Sequence, residues 1–293
     1  MKNNDPYFKQ ILNERGQSHE TRTALFKQLE KELDKPVISF FASFIHAESI
    51  LSDQDADMLE GLLQSMDLSK GFALVISSPG GSGLAAERMI SICRAYSGNN
   101  FDVLIPGKAK SAATMVCFGA NKIYMGCTSE LGPIDPQITL VENGEKKRYS
   151  VFNLVKSYEN LFRRAAKAKG NIQPYLQQLT HYDERDIAEF KAAMELSEDI
   201  AIKSLKSGML SSKSETEIKK SIKIFLTPES TKTHGRPIYR DEALKCGLVV
   251  EEIDKESSLW KNLRNLYIRS DSLVSTNVIK CLESRQHSFA VSK

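Results

Sequence analysis

Hydrophobic positions along the chain follow two rhythms, and the change between them falls near residue 150. Before that point, short unbroken apolar runs alternate with stretches of helical period. KPVISFFASF (35–44) packs Val, Ile and three Phe into a short run after a Pro and predicts a first strand. SDQDADMLEGLLQSM predicts a helix with Met58, Leu59, Leu62, Leu63 and Met66 on one face, opened by a capping box of Ser52 and Asp55. GFALVISS (71–78) is a continuous apolar strand ending in Pro79-Gly80-Gly81-Ser82-Gly83, after which LAAERMISICRAY resumes the helical period. FDVLIPGKA, SAATMVCFGA and KIYMG then read as strand, small-residue helix and strand. Continuous rather than alternating strands, joined through helices by short connections, predict a parallel sheet covered on both faces with right-handed crossovers.

From about 150 to 226 strands vanish and helical patterns such as SVFNLVKSYENLFRRAAKA and ERDIAEFKAAMELSEDIAIKSLKSG take over. DEALKCG then predicts one more helix and LVVEEI a strand returning to the sheet. The charged residues before 35 read as amphipathic helix, and the last 25 residues as an appendage or a partly disordered tail. The expected division is a helical extension over 1–34, an α/β domain over 35–253 with its helical insertion at about 150–226, and a C-terminal helix and tail over 254–293.

Composition narrows the classes. At 293 residues, 41% apolar and 26% charged, the chain can bury a substantial core. Forty Lys and Arg against 37 Asp and Glu leave a formal +3, too slight an excess to imply a nucleic-acid or membrane partner. The local run Arg163, Arg164, Lys167, Lys169 reads as a solvated helix face. Five cysteines with no C-x-x-C pair suggest neither a disulfide framework nor a zinc site, and fit a reducing compartment. The N-terminus lacks the apolar core of a secretion signal and no later window is apolar enough to span a bilayer. A soluble, cytoplasmic protein without a transmembrane segment is expected.

Parallel α/β sheets place reactive groups in the loops beyond the carboxyl ends of their strands. Two such loops are unusual here. SSPGGSG frees the backbone to turn tightly and present N–H groups. PGKAKSAATM sets Ser111 between a strand and a small-residue helix, where it reads either as an ordinary N-cap or as a hydroxyl beside backbone donors able to stabilise an oxyanion. The 31 positions from Gly80 to Ser111 accommodate one helix and one strand, which brings the two loops side by side.

With these loops, SSPGGSG, G-x-x-x-SAA-x-M and ELGPIDPQ resemble the core of the Clp-type peptidase and crotonase superfamily. The longer stretches KSAATMVCFGANKIYMGCTSELGPIDPQI and THGRPIYRDEALKCGLVVEE are similar to the serine dehydrogenase proteinase family, a relative of signal peptide peptidase A. The resemblance covers roughly residues 36–140 and 225–253. It implies a Clp/crotonase-like fold, a parallel β-sheet spiral core flanked by helices, here with a helical excursion. It also implies a serine endopeptidase with Ser111 as nucleophile and an oxyanion hole from the backbones of Gly80 or Gly81 and Ala112. No metal or organic cofactor is implied, the partner is a peptide or protein substrate, and homo-oligomeric rings or stacked trimers are expected.

A serine hydroxyl needs a neighbouring base. Where Clp-type peptidases carry their histidine this sequence reads GPIDPQ, with Asp135 at roughly that place, and near their acid it offers His234. An exchanged triad of Ser111, His234 and Asp135 is one solution, since geometry and not chain order defines a triad. The competing reading makes His234 a turn residue and Asp135 a loop residue bonding its own backbone. A lysine base, as in signal peptide peptidases, is the other solution, with Lys146 and Lys147 standing 35 and 36 positions after Ser111. The tip of an exposed hairpin is the alternative place for that pair. Two further functions stay open: a crotonase-like enzyme acting on acyl-coenzyme A, and a catalytically impaired scaffold that binds peptides. His19, His46, His181 and His287 join no constellation, and Cys117 is expected to pack within its helix.

Overall fold

In the computed structural model, Lys9 and residues 18–293 apart from Asn143 are described. The part of the expected N-terminal extension formed by residues 1–8 and 10–17 therefore lies outside the described residues. Helix α1 (Glu20–Leu33) leads into strand β1 (Val37–Ala42), followed by α2 (Asp53–Leu63), β2 (Phe72–Ser77), α3 (Gly83–Tyr96) and β3 (Phe101–Ile105). The short β4 (Lys108–Ala109) opens onto α4 (Ala112–Phe118), then β5 (Ile123–Met125) and β6 (Glu130–Leu131). A hairpin of β7 (Gln137–Glu142) and β8 (Glu145–Ser150) precedes the helices α5 (Val151–Lys167), α6 (Gln173–Leu179), α7 (Glu184–Ser207) and α8 (Glu215–Ser221). After two single helical turns come β9 (Ile238–Tyr239), α9 (Arg240–Lys245), β10 (Val250–Glu252), α10 (Ser258–Val274), β11 (Val278–Glu283) and β12 (Ser288–Ser292).

The main sheet runs β10-β5-β3-β2-β1-β11-β12, parallel from β10 to β1 as the strand–helix alternation predicts. Every residue of β1, β2 and β3 is buried, because helices cover both faces. The pleat sorts them: Ile38, Phe40, Leu74, Ile76 and Val103 pack on the side of α2, α3 and α4. Val37, Phe41, Val75 and Leu104 pack with Phe26, Leu29, Trp260 and Leu263 from α1 and α10. Each such side chain contributes about 1.5–3 kcal/mol through its removal from water.

The C-terminus differs from its expectation as a loose appendage. Strands β11 and β12 join the sheet antiparallel, with Ser39 opposite Glu283. Within that stretch, Lys280 and Glu283 of VIKCLE are buried and paired. Lys280 Nζ lies 2.7 Å from Asp55 Oδ2, the carboxylate that also closes the capping box by accepting from Ser52 N at 2.7 Å. Arg22 binds Glu283 through two hydrogen bonds of 2.7 and 2.6 Å, a bidentate pair that ties α1 to the end of β11.

A second sheet of three short strands, β4-β6-β9, stands beyond the carboxyl end of the main one. β4 is parallel to β6, β9 is antiparallel to it, and Ser78 bridges to Ala109 to connect this sheet with the end of β2.

Candidate active site

Each of the three residues expected to form a triad lies within a few positions of one strand of this small sheet. Ser111 follows β4, Asp135 follows β6, and His234 precedes β9. The pairing of Leu131 with Ala109 on one side and Ile238 on the other draws the three together.

Ser111 stands at the N-cap of α4 with φ 50° and ψ −121°, and its hydroxyl makes no capping bond. An L residue in that region is strained at a cost of about 1–3 kcal/mol, so the surroundings must hold it. Thr114 does part of this, donating to the Ala109 carbonyl at 2.8 Å and accepting from the Gly132 amide at 3.1 Å. Lys110 does the rest. Its ammonium donates to the Leu131 carbonyl at 3.1 Å and pairs with Glu130 at 3.0 Å, while burial lowers its pKa against the opposing pull of Glu130.

The glycine turn touches this strained residue directly. A Cβ on Gly80 (φ 93°) would sit 2.5 Å from the Lys110 carbonyl and 2.7 Å from Ser111 Cβ, so only glycine permits the approach. Gly81 (φ 158°) is pressed as closely against Leu51, where a Cβ would meet backbone at 2.4 Å. The Gly80 N–H donates to Ser78 Oγ at 3.1 Å and is thus occupied. Among the described residues, the N–H groups of Gly81 and Ala112 donate to no protein acceptor. Ser78, a residue to which the sequence assigned no role, thus occupies the amide of Gly80 and leaves that of Gly81.

Asp135 is buried and has its carboxylate filled by donors. His234 Nδ1 donates to Oδ1 at 2.7 Å, while Ser150 Oγ and Gln137 Nε2 donate to Oδ2 at 2.9 and 2.8 Å. The Gln137 amide is oriented by a further bond from Nε2 to the Pro136 carbonyl at 3.2 Å. An imidazole whose Nδ1 carries the proton leaves Nε2 with a lone pair, the state a general base needs. His234 is thus bonded to Asp135 rather than idle in its turn. Sequence reading missed Ser150 and Gln137 as holders of the carboxylate; the only trace was a Ser before a helix and a Gln in PIDPQ.

Ser111, Ala112, Gly80, Gly81 and His234 line one cavity of about 1060 Å³. Among the described residues the Ser111 hydroxyl has no hydrogen-bond partner, so it and the His234 imidazole share the cavity without a bond between them. Lys146 and Lys147 lie elsewhere: both are exposed on β8, paired across the hairpin with Val141 and Leu140, and neither lines the cavity. Cys117 is buried within α4, where burial pushes its thiol well above the ordinary range, and it donates to the Ala113 carbonyl. Among the described residues no cluster of His, Cys, Asp and Glu is arranged to hold a metal, and no helix is long and apolar enough to cross a membrane.

Comparison with known proteins gives the following matches. Residues 38–159 match the family described as ClpP-like SDH-type serine proteinase, a span that includes the glycine turn, Ser111 and Asp135 but ends before His234. Two uncharacterized proteins of Methanocaldococcus jannaschii are similar, one 31% identical over 85 residues and the other 34% over 65. These alignments take in 29% and 22% of this chain and the same shares of the two proteins, so the chain spans under a third of either curated relative. Among solved structures, a membrane-bound stomatin-specific protease, determined as a Lys-to-Ala variant with a substrate peptide, is similar at 15% identity and a TM-score of 0.29. That alignment covers 75% of this chain and 93% of the protease.

Proposed function

From the match of residues 38–159 to the ClpP-like SDH-type serine proteinase family, we propose that the protein is a serine endopeptidase acting through an acyl-enzyme on Ser111. The observation that carries the reading is the 2.7 Å bond from His234 to Asp135 at the wall of the cavity that also holds Ser111. In this reading the triad runs Ser111, Asp135, His234 along the chain, with the last two exchanged relative to Clp-type peptidases.

Substrate binding brings the Ser111 hydroxyl to His234 Nε2, which takes its proton as Oγ attacks the scissile carbonyl carbon. The carbonyl π electrons move to oxygen, and the amides of Gly81 and Ala112, free of protein acceptors, stabilise that charge. His234, now an imidazolium held by Asp135, protonates the departing amine, which leaves with the C–N electrons. Water then enters by the same route in reverse and releases the acyl group. The strained φ of Ser111 presents its hydroxyl to the cavity rather than to the helix it caps. A homo-oligomer enclosing such cavities is the assembly expected for this reading.

A fluorophosphonate probe tests it. Stoichiometric labelling that is lost in Ser111→Ala and strongly slowed in His234→Ala, with Lys146→Ala and Lys147→Ala labelling at the unmutated rate, is the expected pattern. Absence of labelling in the unmutated protein would leave the acyl-CoA or non-catalytic alternatives in its place.

A further inference from the structure

Charge in the cavity is one-sided. Its walls carry Lys108, Lys110 and Arg148 against the single carboxylate of Glu130, an excess of two positive charges with histidines counted neutral. Glu130 is committed to Lys110 at 3.0 Å. The Arg148 side chain makes no hydrogen bond or ion pair among the described residues. Nor can the triad carboxylate serve it, since Asp135 is filled by His234, Ser150 and Gln137. Lys108 rests its ammonium 4.2 Å from the centre of the Phe44 ring, and its charge acts on Asp271 through space. Arg148 and its cross-strand neighbour Thr139 both face the cavity from the β7–β8 hairpin, and Ser150 on the same strand bonds to the triad carboxylate.

We propose that Arg148, assisted by Lys108, forms a carboxylate-binding subsite, so that the peptides taken here bear an acidic side chain or their own C-terminal carboxylate close to the bond at Ser111. The proposal rests on the peptidase reading for the identity of its ligand as a peptide. A guanidinium offers a planar pair of donors suited to a carboxylate, and a cavity of one sign concentrates ligands of the other.

The test is binding by fluorescence anisotropy to the full-length Ser111→Ala protein. The probes are fluorescein-labelled nonapeptides of Ala and Leu, carrying one Glu or Gln at each position in turn, with free or amidated C-termini. A carboxylate is expected to tighten binding about fivefold, the scale of a partly solvated ion pair, and to lose that advantage as salt is raised. Arg148→Gln should erase the preference and Arg148→Lys keep part of it. A preference that follows Glu over Gln assigns the subsite to a side chain, and one that follows the free terminus assigns it to a chain end; both support the proposal. Equal binding of charged and neutral peptides, including no binding by either, or a preference untouched by Arg148→Gln, overturns it. Failure of Ser111 to label with fluorophosphonate would sink the peptidase reading while leaving a measured carboxylate preference intact.

Discussion

Asp135→Asn is the substitution that most sharply separates a working triad from a coincidental hydrogen bond. The side chain changes by one atom, and the neighbours dictate how the amide must sit. Oδ2 receives Ser150 Oγ and Gln137 Nε2, and the Gln137 amide is itself fixed by the Pro136 carbonyl. Two donors at one position require the asparagine carbonyl oxygen there. Its NH₂ then takes the place of Oδ1, 2.7 Å from His234 Nδ1, and offers a donor where a donor already stands. The imidazole relieves the clash by shifting its proton to Nε2, which removes the lone pair that would accept the Ser111 proton. A triad held in the wrong tautomer loses about 10⁴ in rate, or roughly 5.5 kcal/mol of barrier. Second-order labelling by a fluorophosphonate is the assay, with circular dichroism and unfolding midpoint recorded on the same sample to confirm an intact fold. The reasoning is refuted if Asp135→Asn labels within threefold of the unmutated protein, because His234 then does not act through this carboxylate.

Three more outcomes follow from the packing. Gly80→Ala places a methyl 2.5 Å from the Lys110 carbonyl, so it should both abolish labelling and lower the unfolding midpoint; a soluble variant with full labelling would contradict the close approach of the two loops. Lys280→Met removes the partner of a buried carboxylate whose Oδ1 already lacks a hydrogen bond, and should cost about 3–5 kcal/mol in urea unfolding, with a change under 1 kcal/mol counting against the pair as a tie between β11 and α2. At Glu283, burial raises the carboxyl pKa but the hydrogen bonds and charge of Arg22 outweigh it, leaving a net lowering. Its contribution is therefore complete above the ordinary carboxylate range and is lost as pH falls through the depressed value, so Glu283→Gln should flatten the acid limb of the stability–pH curve; an unchanged limb would show that other carboxylates govern it.

Much of this molecule was legible because local signals and tertiary demands coincide. Continuous apolar runs became β1, β2 and β3, buried on both faces, and the Ser52–Asp55 capping box opened α2 where the spacing put it. The loop at Ser111 was legible for a similar reason: a positive φ at Ser111 and a contact only glycine allows at Gly80 leave a dense mark in a short window. What stayed hidden depends on residues far apart in sequence. The stretch holding Lys280 and Glu283 read as a tail because their partners, Asp55 and Arg22, stand 225 and 261 positions away. Ser78, Gln137 and Ser150 carry no distinctive local pattern, and their roles exist only once the loops are folded.

The exchange of acid and base in the proposed triad rests on the three-stranded sheet. β6 is its centre, and the loops leaving β6 and entering β9 emerge at one end because β9 runs antiparallel to β6, with Leu131 opposite Ile238. Residues four positions beyond Leu131 and four before Ile238 are therefore neighbours by construction, and these are Asp135 and His234. Either loop can carry the imidazole provided the other carries the carboxylate, since the pairing brings both to the cavity that holds Ser111. The register of β9 on β6, and not the length of chain between them, sets His234 beside Asp135, while the intervening α7 adds Leu196 and Ile200 to the cavity wall. Breaking that register, for instance with Ile238→Pro, should thus abolish labelling of Ser111 with Asp135 and His234 both still present, and full labelling of such a variant would refute the argument.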